Sequence, residues 1–320
     1  MTLDRRLWIV ICAAALLSGC GYIAEPLPPL MNIPARAADV TAVQRGGRLI
    51  VQFQMPAMTT EGTILKAAAE PDLRIGPAPN GPFQDAGAGP IENGRVRYEL
   101  PAADWIGKTV AIQVRIVGAN KRDAGWSNPL ELTVVPPPER PTDLQALSDP
   151  LGVRLEWKAA GDGFAISRMG PGETAFAPAA HSDKPEWIDT TAEFGKTYRY
   201  IVQSLVKAGK GEAQSDLSDP VQVAPKDTFP PSAPAGLTAV PSTASIELVW
   251  ERNTDPKVTG YRVYRADGTG PFSPLGDPQP LPSYSDRQLQ SGKTYRYAVA
   301  AVKANGLESP MSAPVEATAP

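Results

Sequence analysis

Alternation with period two is the strongest pattern in the chain. Val153-Arg154-Leu155-Glu156-Trp157-Lys158 alternates apolar and charged residues without a break. Ile246-Glu247-Leu248-Val249-Trp250 repeats it, and Leu49-Ile50-Val51-Gln52-Phe53 is a third version. Each predicts a strand with one face in a core and the other in water, ending on a large aromatic. A further strand follows in each case, at Leu73-Arg74-Ile75, Phe164-Ala165-Ile166 and Tyr261-Arg262-Val263. After it come turn residues and one aromatic, Phe83, Phe176 or Phe272. A proline introduces a short last strand at Pro129-Leu130, Pro220-Val221 and Pro314-Val315. No segment carries a long helical period, and Thr63 to Glu70 has room for a turn or two of helix at most.

The tripeptide Gly-Lys-Thr marks the repeat. It occurs at Gly107, Gly195 and Gly292, separations of 88 and 97 residues, which is a domain length. Each copy precedes an apolar run, beginning at Val110, Tyr198 and Tyr295. A phosphate-binding loop would need a second glycine further back and a helix after it, so these copies read as turns instead. Proline-rich boundaries fall at 136–141 and 225–234 and predict stiff linkers. The resulting domains are 36–136, 139–225 and 231–319.

These units resemble tandem fibronectin type III domains. The resemblance rests on the opening Pro-x-x-Leu-x-Ala at Pro141 and Pro234, on Trp157 and Trp250, and on Leu289-x-x-Gly292-x-x-Tyr295. It implies an all-β fold of immunoglobulin-like sandwiches. Phe53, Trp157 and Trp250 are then core aromatics, and Tyr198 and Tyr295 corner residues whose hydroxyls bond backbone. The first unit departs from the pattern, with Phe53 in place of Trp and Val110 in place of the corner Tyr.

The N-terminus reads as an address. Arg5 and Arg6 precede the apolar run Leu7–Leu17, which is too short for a span of about 20 residues and has the make-up of an export signal. The run closes on Leu17-Ser18-Gly19-Cys20, which resembles the bacterial lipoprotein cleavage motif. That resemblance implies a signal peptide over 1–19, cleavage before Cys20, and diacylation (palmitate-type) of the Cys20 sulfur. Gly21 after the Cys implies the outer membrane in a Gram-negative host. Residues 20–35, rich in proline, read as a tether. Cys12 leaves with the signal, so the mature chain has no pair of thiols for a disulfide.

Composition then removes several function classes. Lys+Arg 31 against Asp+Glu 34 gives a net charge of -3 without a basic block, which argues against nucleic-acid binding. One histidine, His181, in a polar stretch, gives no basis for a triad or a metal site. Asp189 and Asp286 occupy equivalent repeat positions, which points to a shared structural role rather than a catalytic pair across one cleft. No cofactor is expected beyond the covalent lipid on Cys20. The expectation is a non-enzymatic, membrane-anchored envelope lipoprotein, displaying its domains for protein–protein interaction or as a scaffold and spacer, with an envelope or extracellular protein as partner. The alternative is a polysaccharide-binding accessory protein that uses Trp105, Trp126 and Trp187 as an aromatic surface.

Overall fold

The computed structural model describes residues 31–320. Leu17, Ser18, Gly19 and Cys20, the expected cleavage and lipidation site, lie outside the described residues. The chain divides into two compact units. One runs to Pro138 and includes Val206–Ser215, and the other comprises Glu139–Leu205 and Asp216–Pro320.

In the first unit, β1 (Thr41–Arg45), β2 (Arg48–Gln54), β3 (Ala69–Pro77), β4 (Gln84–Ala88), β5 (Ile91–Glu92), β6 (Arg95–Pro101), β7 (Thr109–Gly118) and β8 (Leu130–Thr133) form a sandwich. One layer is ordered β1-β2-β6-β5, the other β4-β3-β7-β8. Inward residues of both layers, among them Leu49, Val51, Phe53, Leu73, Val96, Ile112 and Val114, make one apolar core. The segment Val206–Ser215 groups with this unit. Gly46 N donates to Gln214 O at 2.8 Å, and the Arg45 guanidinium grips Gln214 Oε1 at 3.0 and 3.3 Å.

The second unit repeats the plan twice. β9 (Thr142–Asp149), β10 (Gly152–Lys158) and β13 (Glu186–Asp189) form one layer of the first repeat. β11 (Gly163–Met169), β12 (Ala177–Ser182), β14 (Tyr198–Ala208) and β16 (Val221–Val223) form the other, with β15 (Gly211–Gln214) lying in the segment assigned to the first unit. In the last repeat β17 (Thr238–Pro241), β18 (Ile246–Val249) and β21 (Ser283–Asp286) face β19 (Val258–Asp267), β20 (Ser273–Pro274), β22 (Thr294–Lys303) and β23 (Val315–Thr318). Each has its own core, around Trp157 and around Trp250. All three sandwiches thus share one strand arrangement, so the departures at Phe53 and Val110 leave the topology of the first intact. The alternating patterns produce it, because apolar residues at every second position give each sheet one face that must be covered.

Two segments are held more closely than the sequence pattern implies. Thr63–Glu70 forms no helix; Ile64 bridges back to Met58, and Leu65 N donates to Ala57 O at 2.9 Å. Three alanines favour helix, but the loop pairs with itself instead. The end of the expected tether is also bound: Pro34 bridges Thr59, and Ala37 enters the first core. The second linker is pinned as well. Lys303, only 6% exposed at its side chain, reaches Asp227 at 3.2 Å, Asp255 at 3.4 Å and the Phe229 carbonyl at 2.8 Å.

Candidate functional site

The two carboxylates at equivalent positions are fully engaged. Asp189 closes β13, and its Oδ2 accepts from Tyr200 Oη at 2.8 Å and Arg168 Nη1 at 2.8 Å. Its Oδ1 accepts from the Thr191 backbone N and hydroxyl at 2.9 and 2.7 Å. Asp286 closes β21 and has the same partners one repeat later, Tyr297 at 2.9 Å, Arg265 at 2.9 Å and Gln288 N at 3.0 Å. Burial pushes the Asp189 carboxyl up, but hydrogen bonds from Thr191, Arg168 and Tyr200 outweigh it and hold the group below its ordinary value. The hydrogen bond to Asp189 raises Arg168, and burial with the Asp189 bond raises Tyr200 far above an ordinary phenol. A carboxylate held ionised between an Arg and a phenol is a clamp, and its lone pairs are already spent on structure.

The corner tyrosines bond backbone five residues upstream. Glu193 N donates to Tyr198 Oη, and Gln290 N to Tyr295 Oη, both at 3.0 Å. In the first sandwich Val110 cannot do this; Trp105, on a short 3-10 turn, packs into the same core instead. Phe53 is wholly buried and stacks 6.5 Å from Tyr98. Trp157 and Trp250 are buried and meet Phe164 and Tyr261 edge-on at 5.2 and 5.4 Å. Their indole N–H groups have no hydrogen-bond partner among the described residues.

The three tryptophans singled out as a ligand surface are not brought together as a flat exposed set. Trp105 is 9% exposed, with Lys108 Nζ 5.7 Å from its ring centroid. Trp187 is half-buried against the core that contains Trp157. Trp126 carries two guanidiniums against its ring, Arg74 at 4.2 Å and Arg115 at 4.4 Å from the centroid. Arg74 continues onto Phe83 at 4.3 Å, and Arg115 pairs with Asp72 at 2.8 Å. The result is a ladder, Phe83-Arg74-Trp126-Arg115, across the outer face of β3 and β7. The other loop aromatics are covered by arginines too, Phe176 by Arg199 and Phe272 by Arg296.

A serine staple went unread in the sequence. Ser127, Ser218 and Ser312 each accept a backbone N–H at Oγ, from Val114 at 3.1 Å, Val202 at 2.9 Å and Val299 at 3.1 Å. Each also donates its own N–H to the same valine's carbonyl, at 2.7, 2.9 and 2.8 Å. The signal was the recurrence of Ser-x-Pro at the entrance to each last strand. It holds in the first unit, where the aromatic markers fail.

One open cleft of about 820 Å³ lies on the first sandwich. Tyr98 forms its floor, donating to Gly87 O at 3.0 Å. A Cβ at residue 89 would come within 2.5 Å of that ring, so the chain can cross there only as glycine. Arg95, Arg97, Glu92 and Glu99 rim the cleft. The hydrogen bond from Arg97 holds Glu99 below the usual carboxylate range. Neither His nor Cys lines it, and His181 is exposed on β12. Among the described residues no group of three or more His, Cys, Asp or Glu could hold a metal ion, and no helix is long and apolar enough to cross a membrane.

With this geometry in place, residues 232–318 match the family model of the fibronectin type III domain. The protein contains a fibronectin type III domain. The structure is similar to the FN1-FN3 domains of chicken CNTN1, at 14% identity, covering 89% of this chain and 99% of that one with a TM-score of 0.30. It is also similar to an Fn3-like protein from Clostridium thermocellum, at 29% identity over 29% of this chain and 96% of that one, TM-score 0.26. The clamp Asp286-Arg265-Tyr297 and the corner Tyr295 fall within the matched fibronectin type III segment.

Proposed function

We propose that this protein is a non-enzymatic lipoprotein, exported and anchored through Cys20 in a bacterial envelope, that presents its β-sandwiches to a protein partner. The observation that carries this reading is the repetition of the Asp-Arg-Tyr clamp. The buried carboxylates best shielded from water, Asp189 and Asp286, recur with the same partners in successive sandwiches, as scaffold parts do. Substrate chemistry needs groups with lone pairs or protons left to spend. The lipid-anchor part is supported by Leu17-Ser18-Gly19-Cys20 and the apolar run before it.

Partner contact falls to the outer surface of the first sandwich, which differs most from the shared plan. Its arginine–aromatic ladder through Trp126 has no counterpart at matching positions of the other two sandwiches among the described contacts, and its cleft beside Tyr98 is larger than the one of about 390 Å³ between the matching strands β12 and β13. In-cell cross-linking of the full-length protein, followed by mass spectrometry, tests the reading. One enriched envelope or secreted protein, joined through residues of the first sandwich, is the expected result. Glycan adducts without a protein partner would overturn it in favour of polysaccharide binding.

A further inference from the structure

The first described residues are bound to one end of the first sandwich. Met31 N donates to Glu61 Oε1 at 3.1 Å, and Asn120 Nδ2 donates to the Met31 carbonyl at 3.2 Å. Thr60 N donates to Ile33 O at 2.9 Å and Ala35 N to Met58 O at 3.0 Å. Arg36 gives two bonds to the Ala124 carbonyl, at 3.1 and 2.8 Å. The receiving segments are the β2–β3 and β7–β8 connections, so the chain enters the sandwich at the end where these two loops lie.

That end also carries uncovered apolar side chains. Ile64 is 72% exposed, more than any other exposed large hydrophobic residue described, with Met58 at 55% and Met31 at 52%. They are neighbours through the backbone. Met58 and Ile64 oppose each other in an antiparallel bridge, which sends both side chains to one face. Arg122 touches the Met31 sulfur at 3.2 Å. Exposed Lys66 and Lys121 stand in the same two loops. Of the two acidic residues in these loops, Asp123 lies 3.8 Å from Arg115 and Glu61 accepts from Met31 N while keeping its charge, which leaves the basic side chains in excess. Apolar side chains ringed by Lys and Arg suit the boundary between anionic headgroups and acyl chains.

The length of chain before Met31 keeps this surface within reach of a bilayer. Cys20 precedes Met31 by eleven positions, and a chain spans at most about 3.6 Å per residue, so about 40 Å separates them at full stretch. An anchor at Cys20 therefore keeps this end of the sandwich close to the bilayer. We propose that the end formed by Met31, Met58 and Ile64 docks on the membrane interface, with Lys66, Lys121 and Arg122 against lipid headgroups. The first sandwich then lies on the membrane instead of standing off it. This inference rests on the lipid-anchor reading above.

The test uses the full-length lipidated protein in vesicles of phosphatidylethanolamine and phosphatidylglycerol. Ile64→Cys supplies the free thiol for an environment-sensitive fluorophore, Met58→Cys is the second site, and Leu281→Cys, 58% exposed in the last sandwich, is the comparison. Docking predicts blue-shifted emission at positions 64 and 58, quenching by lipid-borne nitroxides and protection from aqueous iodide, none of which Leu281→Cys shows. Protein that floats with the vesicles but has water-like emission at both sites would overturn docking while leaving the anchor intact. Water-like emission in pure vesicles with protection only in cells, beside a cross-linked protein, would overturn it in favour of a protein partner. Protein that fails to float would defeat the anchor reading and docking together.

Discussion

Tyr200 donates its phenolic hydrogen to Asp189 at 2.8 Å, across the interior of a sandwich and beneath Arg168. Tyr297 and Asp286 repeat the bond at 2.9 Å. A buried carboxylate is costly unless its lone pairs are satisfied, and here an Arg, a Tyr and a turn backbone satisfy them together. The bond ties the layer ending in Asp189 to the layer carrying Tyr200.

Loss of the carboxylate therefore strands a buried phenol and a partly buried guanidinium. Asp189→Ala is expected to cost about 3 kcal/mol of stability, the scale for breaking a buried pair. Asp286→Ala should behave alike. Urea unfolding read at each variant's midpoint measures both, and a loss confined to a few tenths would contradict the clamp.

The same group sets an acid limit. The Asp189 carboxyl is held below its ordinary value in the folded chain, so its contribution is complete above the unfolded value, about 3.9. It is lost as pH falls from there through the folded value. Protection of the amides in 186–205, with the pH dependence of intrinsic exchange divided out, should fall below about pH 4 in the wild type. Asp189→Asn should be less protected at neutral pH and converge on the wild type in acid.

The serine staples predict three similar losses. Ser127→Ala, Ser218→Ala and Ser312→Ala each leave a valine N–H buried without its acceptor, at about 1–3 kcal/mol. Thermal melts of the three variants check the order of magnitude. Near-neutral values would mean that water replaces the hydroxyl.

Trp157→Ala and Trp250→Ala should each cost about 3–5 kcal/mol, because the cavity cannot collapse between two sheets. The Phe variants should lose far less, since neither indole N–H has a partner to forfeit. Comparing the two substitutions at one site isolates packing from hydrogen bonding.

Trp126, with Arg74 and Arg115 against its ring, should not respond to sugars. Titration with soluble oligosaccharides is expected to leave tryptophan emission unchanged, and Trp126→Ala should lower stability without altering any glycan retention. A saturable fluorescence change abolished by Trp126→Ala would reverse that conclusion.

Much of the scaffold could be read before the structure. The alternating strands, their order and the structural role of Asp189 and Asp286 follow from period two and from repeat position, both local signals. The Phe83-Arg74-Trp126-Arg115 ladder was illegible, because Trp126 reaches Arg74 only through the pairing of β3 with β7. Trp105 misled for the related reason that its burial depends on packing into a core built from distant strands. The staples could have been found, since Ser-x-Pro recurs with the repeat. The end at Met31 depends on a loop whose alanines favour helix, while its backbone groups pair within the loop and with Ile33 and Ala35.

The central claim is that these sandwiches are held at a membrane by Cys20. Intact-mass and peptide mass spectrometry of protein extracted from cell membranes tests it most directly. The account predicts a mature chain that begins at Cys20 and carries acyl groups on that residue. A membrane or soluble chain that begins elsewhere, or that begins at Cys20 with a free thiol, would contradict it.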